Sequence, residues 1–223
     1  MKKIRIIATA ALLVAAVSAK AQFEPGTFSI QPKAGISATW LSNMPDISFS
    51  NHVTLDKTPM AGGLIGAEAE YQLANMFSLA AGINYSFQGS AWEDYTYKDG
   101  NNKFEIKDSK VTLGYLTLPV VANIYLFKGF AIKGGVQFGY LTNANINTSV
   151  STNDVTVNVD ESMKDDCKKW DLSIPMGFSY QFKVPIVIDC RYNLGLTRVN
   201  KEKIDKDCKN NVIQLTVGYK FKL

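Results

Sequence analysis

The sequence predicts an all-β chain, an eight-stranded antiparallel up-and-down transmembrane β-barrel preceded by a cleaved signal peptide. Three observations predict it. Apolar and polar residues alternate with a period of two through eight long segments. Ionisable residues fall on only one of the two faces so defined. Long polar connections alternate with connections of three or four residues, the asymmetry of outer-membrane barrels. A charge on a lipid face costs about 2–4 kcal/mol at mid-depth, so the segregation of charge marks a membrane wall.

The leader occupies residues 1–21 and the barrel domain residues 22–223. Lys2, Lys3 and Arg5 make a charged start, Ile6 to Val17 an apolar core, and Ala19-Lys20-Ala21 a cleavage site. The mature chain is expected to begin at Gln22. The formal charge of +4 belongs to the leader. Four of the 24 basic residues lie there and no acid does, which leaves 20 basic residues against 20 acids. A basic face for nucleic acid is therefore not indicated. No later apolar run approaches the ~20 residues of a spanning helix, so insertion must use strands.

The first strand runs from Phe28 to Trp40, with Phe28, Ile30, Ala34, Ile36 and Trp40 outward and Lys33 inward. At ~3.3 Å per residue and a tilt of ~40° it rises ~33 Å, enough to cross a ~25 Å apolar band. Pro32 lacks a ladder donor and should sit near an end or at a bulge. Polar residues 42–58, with Pro45 inside, read as the first outer loop. The second strand, Met60 to Leu73, points Ile65 and Tyr71 out and Glu68 and Glu70 in. Ala74-Asn75-Met76 turns the chain into the third, Phe77 to Gln88. The second outer loop, 90–109, carries the turn signal Asp99-Gly100.

The fourth strand is Val111 to Leu126, and Lys128-Gly129 turns it into the fifth, Ala131 to Leu141, with Lys133 inward. The third outer loop, 142–169, is the longest. Its middle, Asp154 to Asp160, alternates enough to continue a hairpin above the membrane. The sixth strand, Trp170 to Phe182, holds Asp171 on its inner face. Lys183-Val184-Pro185 leads into the seventh, Ile186 to Val199, with Asp189 and Arg191 inward. Charged residues 200–209 make the fourth outer loop. The eighth strand, 211–223, sets Ile213, Leu215, Val217, Tyr219, Phe221 and Leu223 outward and Gln214, Thr216, Gly218, Lys220 and Lys222 between them. In hydrocarbon no backbone donor or acceptor can stay unpaired, so the eight strands must close on themselves.

Three stretches resemble one family, and the ending resembles an assembly signal. Asp189-Cys190-Arg191-Tyr192-Asn193-Leu194-Gly195-Leu196-Thr197 is similar to the RYxxGLt stretch of PorT-like outer-membrane β-barrel proteins, porin-like small barrels common in Bacteroidetes. Tyr115-Leu116-Thr117-Leu118-Pro119 resembles that family's YLxxP stretch, and Gly134-Gly135-Val136 to Gly139-Tyr140 its GG strand. The ending with Gly218, Tyr219, Phe221 and Leu223 resembles the signal read by the barrel-assembly machinery, although a terminal aromatic is more usual than Leu223. The resemblance implies an outer-membrane barrel and no particular activity.

An eight-stranded interior is just wide enough for side chains to fill. Lys33, Glu68, Glu70, Lys133, Asp171, Asp189 and Arg191 are therefore expected to form a packed charge network, with Arg191 beside Glu68 or Glu70. Cys167 and Cys208 flank the seventh strand in exported loops, and a disulfide between them is expected. Cys190 reads as a small apolar residue facing lipid. His52 is the one histidine, in an outer loop without a nucleophile motif, so no catalytic residue is assigned. One His and three dispersed Cys give no zinc site. Loop acids Asp154, Asp160, Glu161, Asp165 and Asp166 read as solvated rather than as a Ca²⁺ site. No cofactor is implied. The expected partners are outer-membrane lipid and, during biogenesis, the assembly machinery, for a monomer. The expected role is structural or binding, through the outer loops. The alternatives are a narrow porin, a secretion-associated barrel, or a lipid-modifying enzyme, and a periplasmic β-sandwich is the structural rival.

Outer-membrane fractions should contain a form whose position on a detergent gel shifts on boiling. A periplasmic protein that migrates identically with and without boiling would exclude the barrel.

Overall fold

The computed structural model describes residues 23–44, 47–50, 53–99, 102–152, 155–201 and 207–223. The leader with its cleavage site, Gln22, Pro45, His52, Gly100 and Asp154 lie outside the described residues. Among the described residues eight long strands make the fold: β1 (Phe28–Ser42), β2 (Met60–Ala74), β3 (Phe77–Trp92), β4 (Asn102–Phe127), β5 (Phe130–Thr152), β6 (Trp170–Gln181), β7 (Ile186–Gly195) and β8 (Lys209–Tyr219). Each pairs antiparallel with the next, and β8 pairs back onto β1. The sheet is a closed barrel.

The register sets its dimensions. Phe28 pairs with Tyr71, Tyr71 with Leu79, Leu79 with Ala122, and Ala122 with Gly134. Gly134 pairs with Met176, Met176 with Tyr192, Tyr192 with Ile213, and Ile213 with Ala38. One circuit thus returns to β1 ten residues further along. A stagger of that size over eight strands requires a tilt of about 40°.

Alternation decides what faces where. Along β1, Ser29, Gln31, Lys33, Ser37 and Thr39 are buried, while Phe28, Ile30, Ala34, Ile36 and Ala38 are exposed. The same holds on β7 and β8. The outer wall is therefore apolar, with Ile36 69% and Ile65 65% exposed, and the buried charges all point inward. Aromatic pairs bound this wall. Phe127 stacks on Phe130 at 4.7 Å, and Tyr219 lies 4.6 Å from Phe221, at the end with the short turns. Trp40 stacks on Tyr192 at 6.0 Å and Tyr140 meets Trp170 at 5.1 Å at the other.

β1 and β3 run on a few residues past the expected ends, to Ser42 and Trp92, and two strands outrun the sequence expectation by far more. β4 and β5 are 26 and 23 residues long, because their polar outer stretches pair with each other from Phe104↔Thr152 to Gly114↔Asn143. Tyr95–Asp99 adds on one side and Val155–Ser162 on the other. Residues assigned to outer loops thus build a four-stranded sheet above the belt, of which the hairpin carried by the middle of the third outer loop was expected. Polarity argued for loops there, but Ile106, Val111 and Ile146 still alternate with polar neighbours, and ladder bonds need no apolar side chain. β7 stops earlier than expected, at Gly195, because the amides of Leu196 and Thr197 turn to Leu172 O at 2.8 and 3.4 Å.

Pro32 sits within β1, not at its end. Its missing N–H coincides with a break in the seam. β8 pairs with β1 as far as Gly218, then resumes as Phe221–Lys222 opposite Ile30 and Ser29. In the gap the amide of Lys220 donates to Pro185 O at 2.7 Å.

Leu215→Lys, on the outer wall, should lower the unfolding free energy in lipid vesicles by about 2–4 kcal/mol, whereas Val155→Lys, on the projecting strand, should change it little. Equal tolerance at the two positions in a urea titration would contradict this assignment of the wall.

Candidate functional site in the barrel interior

Period two places Asp189 and Arg191 on the same inner face of β7. The Arg191 guanidinium reaches across the lumen to Glu68 on β2, with Nη1 donating to Oε1 at 2.6 Å and Nη2 to Oε2 at 2.7 Å. Its Nε and Nη2 turn back to Asp189 at 2.7 and 2.8 Å. Lys33 on β1 donates to the same Glu68 Oε1 at 2.6 Å. Lys133 on β5 donates to the same Asp189 Oδ2. The result is a chain of alternating sign, Lys33–Glu68–Arg191–Asp189–Lys133, which ties four strands together. Arg191 is 1% exposed and uses four of its five donors in it.

A second group lies toward the short turns. Glu70 accepts from Lys220 at 2.8 Å, Tyr125 at 2.5 Å and Ser78 at 2.7 Å. Lys220 and Tyr125 are not in the set expected from sequence. The alternation of Tyr219, Lys220 and Phe221 is itself the signal that turns Lys220 inward.

Glycines make room for these groups. A Cβ on Gly82 would lie 2.5 Å from Glu68 Cγ, and one on Gly218 would lie 2.5 Å from Gln31 Nε2. The long polar side chains of Glu68 and Gln31 thus lie over bare backbone.

Asp171 does not join the network. It accepts from Thr197 Oγ1 at 2.7 Å. Ser179, which pairs with Asp189, stands eight positions further along β6, about 26 Å along the strand. Inward polarity was legible for Asp171, but its height was not. Between the two levels lie uncharged pairs, with Asn84 on Thr117 at 3.5 Å and Gln137 on Ser173 at 3.3 Å. Above them an apolar cluster stops the mouth. Leu41, Trp92, Ile106, Val111, Leu113, Tyr115 and Leu141 come from the strands, Met44 and Leu55 from the first outer connection, and Cys167 and Val199 from the later ones. This cap was not expected, since it packs inward residues of the strands, Val111, Leu113, Tyr115 and Leu141, against residues such as Met44, Leu55, Ile106 and Cys167 from stretches read as loop.

The expected Cys167–Cys208 disulfide does not form, and both thiols are free and buried. The chain just beyond β7 runs between them. Lys168 N donates to Val199 O at 2.6 Å, and Val199 N to Cys208 O at 2.8 Å. The cysteine backbones are thus two ladder spacings apart, about 9–10 Å, beyond the ~7 Å that a disulfide spans. Cys208 Sγ instead donates to Asn43 O at 3.4 Å. Burial pushes both thiols above the usual cysteine range, which keeps them protonated and slow to react.

On the projecting sheet Glu105 accepts from Lys103 and Lys107, each at 2.8 Å. Hydrogen bonds from these two lysines hold its carboxyl down at about 2. Asp160 and Glu161 stand on the exposed strand Val155–Ser162. Asp165 and Asp166 lend their carbonyl oxygens to Lys201, through its Nζ and its amide respectively. Of the terminal residues, Gly218 pairs with Lys33 and Phe221 with Ile30, while Tyr219 is exposed on the outer wall and Leu223 N donates to Phe28 O at 2.9 Å.

The family described as outer membrane protein beta-barrel domain matches residues 20–200. Among solved structures, the attachment invasion locus protein Ail of Yersinia pestis is 15% identical over 88% of this chain and 99% of that one, with a TM-score of 0.39. Neisserial surface protein A is 14% identical over 87% of this chain and 97% of that one, with a TM-score of 0.44. No curated protein matches the chain.

Arg191→Ala removes four charge-assisted hydrogen bonds from the lumen and leaves Glu68 and Asp189 with one lysine each. It should cost about 3–5 kcal/mol of unfolding free energy in detergent, and an unchanged midpoint would show that Arg191 does not organise the site.

Proposed function

Because the chain belongs to the outer membrane protein β-barrel domain family, and so lies in the outer membrane, we propose that it is a non-conducting barrel that presents a binding surface outside the cell. One observation carries this reading. The charge chain and the apolar cap occupy the lumen in succession, while β4, β5 and their flanking strands raise a four-stranded sheet above the mouth. A lumen crossed by a two-pronged Arg–Glu contact and stopped by packed apolar side chains opposes ion flow. A raised sheet with an exposed edge strand offers backbone and side-chain contacts to a ligand.

The narrow-porin and secretion-associated readings are the rivals, and the cap weighs against the first. The PorT-like motifs on β7, β4 and β5 support placing the chain in that branch of the family, as a monomer inserted by the assembly machinery. We assign the barrel no enzymatic role. Arg191 and its partners are all engaged with one another, and burial holds Cys167 and Cys208 as thiols.

In planar lipid bilayers the purified barrel should give no stepwise current. Removing the cap, by Trp92→Ala together with Leu113→Ala, should leave the current near zero, because the charge layer lies below it. Regular conductance steps from the unaltered protein would overturn the proposal in favour of a porin.

A further inference from the structure

The buried charge chain does not balance. Lys33, Arg191 and Lys133 contribute three cations, and Glu68 and Asp189 two carboxylates. Glu70 is matched one to one by Lys220, and Asp171 lies at another level with Thr197. One positive charge is left over in a layer shielded from solvent, where an uncompensated charge is strongly disfavoured.

The surplus lies beside unused donors. Each lysine ammonium has three N–H groups and gives one to the chain among the described residues. Gln31 is two residues before Lys33 on β1, 4% exposed, with its Nε2 against Gly218 and without a hydrogen-bond partner among the described residues. Gly218 is the residue paired with Lys33 across the seam. Thr216 is 1% exposed and stands between Gly35 and Asp189 in register, and its Oγ1 likewise has no partner among the described residues. Asp189 is already matched by Arg191 and Lys133, so it does not neutralise this corner.

We propose that the barrel interior binds one small monovalent inorganic anion, a halide or an ion of similar size, held by the Lys33 ammonium, the Gln31 amide and the Thr216 hydroxyl at the β1–β8 seam. The excess of one charge sets the valence. The packed interior sets the size. Because the apolar cap closes the mouth, the ion is taken up as the barrel folds and exchanges slowly afterwards, so it acts as a structural part of the charge layer.

The mature protein refolded into lipid provides the test, with chloride as the probe and gluconate, too large for the site, keeping ionic strength constant. The unfolding midpoint should rise with chloride and saturate, and crystals grown in bromide should show one anomalous peak within hydrogen-bond reach of Lys33 Nζ. Lys33→Met balances the chain, leaves Glu68 gripped by Arg191, and should remove the chloride dependence. Gln31→Leu and Thr216→Val retain every charge. Each should raise the half-saturating chloride concentration about tenfold, a readout that remains if Lys33→Met fails to fold. Equal midpoints in chloride and gluconate would overturn the proposal. So would a chloride dependence that all three variants leave intact, or a bromide structure without the peak.

Discussion

Every backbone amide in the apolar belt must find its partner within the chain, since hydrocarbon offers none. That constraint closes β8 onto β1, and closure brings the rest with it. Eight strands staggered by ten residues enclose a narrow lumen, and a narrow lumen brings opposite walls within reach of an arginine. Arg191 on β7 can therefore grip Glu68 on β2 directly. In a wider barrel the same two residues would face water.

The charge chain is better understood as a device for register than as a source of stability. Taking five charges out of water costs much of what their pairing returns. A slip of one residue along β7, however, would turn Arg191 and Asp189 outward into lipid. The glycines belong to the same logic. Gly82 and Gly218 leave space only where Glu68 and Gln31 need it, so displaced pairing would set side chain against side chain. The seam breaks at Pro32, and the chain turns that break to use by burying Lys220 against Glu70.

Above the belt the problem changes. Water is present there, so edges are tolerated and the sheet need not close. β4 and β5 continue as an extension whose inner side adds Ile106 and Val111 to the apolar cap, while its outer side carries the Lys103–Glu105–Lys107 group. The lower part of the molecule is thus constrained by lipid and the upper part by packing alone. The upper part is accordingly the region whose surface lipid does not constrain.

Strand count, the direction each strand faces and the inward placement of Lys33, Glu68, Arg191 and Asp189 were legible in the chain. A period of two and the cost of a charge in lipid are local properties, readable one segment at a time. The ends of β4 and β5 were not, since polar stretches such as 102–110 and 143–152 form strands only because they meet each other. The partner of each charge, the separation of Asp171, the cap, and the chain that runs between Cys167 and Cys208 depend on the stagger between strands. That stagger is a sum of registers around a closed circuit, and no single segment carries it. Alternation along the chain determined which side of the wall each residue occupies, while closure alone decided at what height and against which neighbour it came to rest.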